Sequence, residues 1–205
     1  IFMNIITISR QYGSGGREIG EKLANKLQIP FFDKELIIMA AKKSGMSEEV
    51  FKSVDERAAS SFLYSLWMNG YSYGIPTVAN HLPLNDQLFI LQTELIKNAA
   101  EKGPCVIVGR CADYILRERH DVLHVFLYAD ESFRAKRAIQ KYGEDEKKIH
   151  EILIKKDKQR SNYYNFYSDT RWNDPQNYHL CLNTGALGID NSLEMILKAY
   201  KIIQP

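Results

Sequence analysis

The chain has 205 residues, 45% of them hydrophobic, enough to bury a sizeable core; a single domain spanning residues 1–205 is expected. A formal net charge of +2 supplies no long-range pull toward nucleic acid or an anionic membrane. No run of about 18 apolar residues exists to span a bilayer, and no charged-then-apolar leader opens the chain, so a cytoplasmic location is expected.

Met3 reads as the natural start, with Ile1 and Phe2 as additions before it. Cys105, Cys111 and Cys181 form no C-x-x-C pair, and the five histidines show no metal-ligand spacing. The cysteines read as small buried hydrophobes of a reducing compartment rather than as catalytic or zinc-binding thiols.

The first element is the one around which the rest is arranged. Ile5 to Ser9 is β-branched and reads as a buried strand. Gly13, Gly15 and Gly16 follow, and from Arg17 a helix is predicted, with Ile19, Leu23, Ala24 and Leu27 at one-face spacing. Strand, glycine loop and helix form a phosphate cradle, because loop amides and the helix N-terminus both aim partial positive charge at an anion. The alternative is a glycine-rich turn with no ligand. A regular Walker A reads G-x-x-x-x-G-K-[ST]. Aligned on Gly16, its first glycine is Gln11 here, its lysine is Arg17 and its hydroxyl residue is Glu18. Arg17 can still reach phosphate oxygens in bidentate fashion.

Ile29 to Phe32 predicts a second strand, ended by Asp33 at the sheet edge where open α/β folds place ligands. Asp33 is a candidate to accept hydrogen bonds from a substrate and a candidate N-cap for a helix over Lys34–Lys43. Between Ser44 and Leu84 a short helix opens at Ser47. The aromatic stretch from Phe62 to Tyr73 reads as a satellite core or dimer contact rather than a flap over a base. Asn85 to Glu101 carries a clear helical stripe, ended by Gly103-Pro104.

Cys105 to Val108 is the next buried strand, and Gly109-Arg110 follows it. Arg110 at that edge suits a phosphate clamp, or a structural ion pair with Asp113 or Asp130. A short helix over Ala112–Arg119, a strand over Val122–Leu127 and a helix capped by the Ala129–Ser132 segment come next. Arg134 to Arg160 is the most basic part of the chain, with ten Lys and Arg against five Asp and Glu. It divides into two helices at Tyr142-Gly143. It reads as a solvated helix face, as a lid closing over phosphates, or, least favoured, as a nucleic-acid surface. His179 to Leu182 is the last strand, and Ser192 is the expected cap of a helix over Leu193–Ile203. The sum is an α/β fold of P-loop NTPase type: three α/β/α layers on a parallel sheet of about five strands, with a helical insert at about 34–100 and a helical lid at about 134–172.

These residues carry a resemblance. The glycine loop, Phe32-Asp33, VIVGR at 106–110 and FLYADESFRAKR at 126–137 look like a cytidylate kinase. DKQRSNYY at 157–164 and WNDPQNYHLCLN at 172–183 are more closely similar to the cytidylate kinase-like family of bacterial proteins. The resemblance implies ATP-dependent phosphoryl transfer to a nucleoside monophosphate of CMP or dCMP type, or to a related small phosphate acceptor. It implies that Gly13, Ser14, Gly15, Gly16, Arg17, Glu18 and Ile19 hold the ATP phosphates. Asp33, Arg110 and Asp113 would contact the acceptor, and Arg17, Arg134, Arg137 and Arg160 would bring charge to the transferring group. Mg²⁺ would be held mainly through phosphates and water, with no protein metal site.

The partners expected are thus nucleotide and acceptor, with no membrane, nucleic acid disfavoured and a homodimer left open. The chain departs from cytidylate kinases at Arg17 and Glu18, at Ile38 and Met39 where they place a Tyr-Arg pair, and at Cys111 where they have Gly-Arg-Asp. The rival function is a nucleotide-binding regulatory or partner-binding module that has lost transfer.

Overall fold

A computed structural model describes residues 5–33 and 84–202. In chain order the elements are β1 (Ile5–Arg10), α1 (Gly16–Leu27), β2 (Phe31–Phe32), α2 (Leu84–Lys102), β3 (Cys105–Val108) and α3 (Ala112–Ile115). They continue with β4 (Val122–Tyr128), α4 (Glu131–Tyr142), α5 (Ile149–Tyr167), β5 (Leu180–Asn183), α6 (Thr184–Leu187) and α7 (Ile189–Ile202). The expectations for Lys34–Lys43, the Ser47 helix, Ile38, Met39 and Phe62–Tyr73 lie outside the described residues.

The five strands form one parallel sheet in the order β2-β3-β1-β4-β5. A parallel sheet is covered on both faces, which is why its central strands are near-continuous apolar runs. Ile8 of β1 sits opposite Val108 on one side and Val125 on the other. Alternation then divides the core. Ile6, Ile8, Val106, Val108, Leu123 and Val125 pack with Ile19 and Leu23 of α1 and Leu193 and Ile196 of α7. Ile5, Cys105, Ile107, Val122 and Phe126 face the other way, toward Ile96 of α2, Leu116, Tyr164 of α5 and Trp172. Trimming one of the fully buried residues, such as Ile8→Ala, costs about 2–5 kcal/mol through lost burial and the cavity left behind.

Several boundaries differ from the expected ones: the helix expected to reach Arg119 stops at Ile115, the last strand is Leu180–Asn183 rather than His179–Leu182, and two further shifts have a visible local cause. The strand predicted from Ile29 begins at Phe31, because the chain first has to close α1. Gln28 adopts a left-handed φ of 56°, and the Ile29 amide donates to the Ala24 carbonyl at 3.0 Å. The last helix begins at Ile189, not beyond a Ser192 cap. Ile189 extends the apolar stripe onto the core, and Ser192 lies inside the helix with its hydroxyl donating to the Gly188 carbonyl at 2.6 Å. The turn between α4 and α5 opens at Gly143, left-handed at φ 69°, as the Tyr142-Gly143 signal predicts.

Among the polar groups buried in the second layer is a histidine. His124 of β4 meets the Thr7 hydroxyl through Nδ1 at 2.7 Å and stacks on His179 with ring centroids 5.1 Å apart. Among the described residues its Nε2 has no hydrogen-bond partner, and burial pushes its pKa down to about 4.

Candidate active site

The loop after β1 is fixed from three sides. The Gln11 amide donates to the Leu127 carbonyl at 2.9 Å, and its side-chain Oε1 accepts from the Ala129 amide at 3.2 Å. Thr184, the first residue of α6, donates its hydroxyl to the Ser14 carbonyl at 2.7 Å from below. Gly13 has φ 80°, and a Cβ there would stand 2.5 Å from the Arg134 carbonyl oxygen, so neither backbone nor space admits a side chain. The first bond closing α1 runs from the Ile19 amide to the Gly15 carbonyl at 2.9 Å. The amides of Gly16, Arg17 and Glu18 precede it and form the electropositive end of the helix.

Side chains from four other elements converge on this loop. Arg17 reaches Asp33, at the end of β2, with Nε 3.2 Å from the carboxylate, and Asp33 is buried. Glu18 accepts from Arg137 of α4 at 2.6 Å and lies 3.4 Å from Lys22; the Arg137 hydrogen bond is the main cause holding its carboxyl below the usual range. Arg134, one turn earlier on α4, donates to the Tyr12 carbonyl at 3.3 Å and pairs with Asp157 of α5. Asp157 also accepts the Tyr12 amide at 2.7 Å, and Arg160, one turn along α5, donates to the Arg10 carbonyl at 2.9 Å. Burial, then the neighbouring Arg10, push the Arg160 pKa down to about 9, with Asp157 and Asp33 acting in the opposite direction.

Thus Arg17 and Asp33 meet directly, Glu18 and Arg137 meet directly, and Arg134 and Arg160 bond the backbone where the loop leaves β1, at Tyr12 and Arg10. Asp113 stands apart in the core. Tyr164 donates to it at 2.7 Å and Ser9 at 3.5 Å, and burial pushes its pKa up to about 6. Arg110 lies at the end of β3 in a left-handed conformation, φ 61°, between Gly109 at φ 75° and Cys111 at φ 55°.

The sequence reading did not single out Arg10, Tyr12 or Asp157. Each left a signal. Arg10 continues the Ile6, Ile8 alternation to the strand end, and Asp157, Arg160 and Tyr164 share one helix face at i, i+3 and i+7. Tyr12 is clasped by Glu144, whose carboxylate accepts its hydroxyl at 2.6 Å, and the Arg160 guanidinium lies 5.3 Å from its ring centroid.

The site fits phosphate better than it fits a free metal ion. The Nε atoms of Arg134 and Arg137 are buried and, among the described residues, without a hydrogen-bond partner, although both guanidinium groups face the loop. Their charge, carried largely by the terminal nitrogens, lies beside the loop, with Arg137 Nη2 close to the Gly15 backbone. By contrast, no cluster of three or more His, Cys, Asp or Glu among the described residues is arranged to hold a metal. No helix of the described residues is long and apolar enough to cross a membrane.

Comparison with known proteins bears on the fold and the family. An uncharacterized protein from Eubacterium ventriosum is 28% identical and superposes with a TM-score of 0.72 over 97% of this chain and 98% of that one. Shikimate kinase from Bacteroides thetaiotaomicron shares 15% identity, with a TM-score of 0.54 over 97% and 98%. A gluconokinase from Sinorhizobium meliloti shares 14%, with a TM-score of 0.56 over 97% and 94%. No curated protein sequence matches the chain. The fold is that of the P-loop kinases, and residues 5–186 match the cytidylate kinase-like family, to which the chain belongs.

Proposed function

We propose that the protein transfers a phosphoryl group from ATP to a nucleoside monophosphate of CMP or dCMP type, or to a related small phosphate acceptor. The observation that carries this reading is the convergence of Arg17, Arg134, Arg137 and Arg160 on a glycine loop at the N-terminus of α1. Phosphoryl transfer is mostly positioning and charge stabilisation, and the acceptor phosphate is its own nucleophile, so the protein needs no covalent nucleophile or strong base. The loop from Gly13 to Ile19 holds the donor phosphates with its amides. Arg17, in the lysine position, spreads its charge over the transferring group. The α4–α5 pair acts as a lid that brings Arg134, Arg137 and Arg160 to it, while Asp33 and Arg110 face the acceptor.

Magnesium supplies charge neutralisation on the donor phosphates when bound. Phosphates and water hold it, since Glu18 is the loop residue nearest the usual hydroxyl position and already pairs with Arg137. The free thiols of Cys105, Cys111 and Cys181 support a cytoplasmic setting.

That same Glu18–Arg137 pair favours a second reading, a nucleotide-binding module without transfer. The two separate on one experiment. The protein is given ATP and Mg²⁺ with CMP, dCMP, UMP, AMP or GMP, and the diphosphate product is measured by chromatography beside the nucleotide-induced rise in Tm. Product from one acceptor supports the kinase. A rise in Tm with every acceptor left unphosphorylated supports the module.

A further inference from the structure

Arg10 is a guanidinium that the roles above leave unassigned. It ends β1 on the α1 side, and its course is set by two bare stretches of backbone. A Cβ on Gly16 would stand 2.7 Å from both Cβ and Cγ of Arg10, and a Cβ on Gly109 would stand 2.0 Å from its Nη1. The stem therefore lies against the first turn of α1, and the guanidinium lies over the end of β3. Its tip is 3.7 Å from Asp33, the carboxylate that Arg17 reaches at 3.2 Å. Arg160 arrives from α5 on the Arg10 carbonyl at 2.9 Å.

The slot is held at a cost. Gly109 opens the left-handed run through Arg110 and Cys111, and each non-glycine residue in that conformation costs about 1–3 kcal/mol. Arg10 and Arg17 share one buried carboxylate and Arg160 lies close enough to Arg10 to be repelled by it; a bound dianion reverses the sign of that repulsion. The place is suited to the chemistry. Arg10 touches Gly16 and Arg17 follows Gly16, so an anion on Arg10 lies beside whatever the loop amides hold.

We propose that Arg10, next to the Arg17 and Arg160 that serve the transferring group, seats the phosphate dianion of the acceptor beside the donor phosphates on the glycine loop. The identity of the acceptor rests on the kinase reading above; the phosphate site itself does not. Arg10 is then a residue that positions the attacking oxygen, and it contributes to selecting a phosphorylated acceptor over its unphosphorylated counterpart.

The test is calorimetric titration of the wild type, Arg10→Met and Arg10→Lys with CMP, cytidine, inorganic phosphate and the non-hydrolysable ATP analogue AMP-PNP with Mg²⁺. Wild type is expected to prefer CMP over cytidine by about tenfold or more, the usual scale of charge-assisted hydrogen bonds to a phosphate. Arg10→Met removes that preference and leaves AMP-PNP affinity within about threefold. Arg10→Lys keeps one charge without the fork and falls between the two; it decides the matter should Arg10→Met fail to fold. If CMP does not bind but inorganic phosphate does, and Arg10→Met abolishes that binding, the phosphate site stands while CMP fails as acceptor. Unchanged phosphate and CMP affinity in Arg10→Met overturns the proposal, as does an equal loss of AMP-PNP, which would assign Arg10 to the donor. A wild type that binds neither CMP nor phosphate also overturns it.

Discussion

The glycine loop and the Arg10–Asp33 cluster share the C-terminal edge of one sheet but are built from different material. The loop is backbone: Gly13 and Gly15 at positive φ, amides of the first α1 turn, and anchors from Gln11 and Thr184. The cluster is side chain: arginines from β1 and α1 gathered on a carboxylate from the end of β2, with Arg160 of α5 resting on the Arg10 carbonyl. A backbone cradle is defined by one contiguous stretch and is broken mainly by filling its space. A side-chain cluster depends on residues far apart in sequence and is broken by removing charge. The α4–α5 pair joins the two, since Arg134 bonds the Tyr12 carbonyl while its partner Asp157 lies one turn from Arg160.

The largest expected effect comes from charge. Arg137→Met removes a buried guanidinium from the rim of the loop and should lower kcat by about 10²–10³, on the scale of losing one preorganised donor to a transition-state anion. Steady-state kinetics with ATP varied should show the loss in kcat with KM for ATP far less altered. Gly13→Ala tests the backbone side. Its Cβ would stand 2.5 Å from the Arg134 carbonyl oxygen at φ 80°, so a destabilisation of about 2–4 kcal/mol is expected from strain and overpacking. Differential scanning calorimetry should report a fall in Tm of about 5–12 °C, with the ATP-induced rise in Tm lost.

Beneath both regions, two buried groups give opposite pH slopes. His124 has its folded pKa near 4 against an ordinary 6.5, so its contribution is fully present above about 6.5 and is lost as pH falls toward 4. Asp113 has its folded pKa near 6 against an ordinary 3.8, so its contribution is fully present below about 3.8 and is lost as pH rises through 6. The two oppose each other between about pH 4 and 6. His124→Asn should therefore remove a rising component, so that its stability relative to the wild type falls with rising pH across that window; urea titrations at pH 4, 5, 6 and 7 would show it. The smallest effect belongs to the exposed Lys26–Glu194 pair joining α1 and α7, where Lys26→Met should change stability by less than about 1 kcal/mol in the same titrations.

The contrast between backbone and side chain also explains what was legible in the sequence. The β-branched run of β1, the glycines and the one-face stripe of α1 are local signals, so the strand, glycine loop and helix were readable, as were β3, β4 and the α4–α5 turn. Boundaries failed where one element ends by borrowing the next: Ile29 reads as strand but its amide closes α1. The contact of Arg17 with Asp33 spans a helix and a strand, and no sequence period encodes it. Arg10 was passed over because a strand-end arginine looks the same whether it faces solvent or a slot between two glycines. Asp157 read as one charge in a basic helix, although its spacing to Arg160 and Tyr164 marked the face that meets the loop.

The central claim is that Arg17 takes the place of the P-loop lysine in an active kinase. The most direct measurement is coupled ADP release with ATP, Mg²⁺ and each acceptor for the wild type and for Arg17→Ala, with circular dichroism to verify the fold. Turnover with one acceptor, reduced by about 10³ or more in a folded Arg17→Ala, is the expected result. Equal turnover in the two proteins, or no turnover with any acceptor while ATP still raises the Tm, would contradict it.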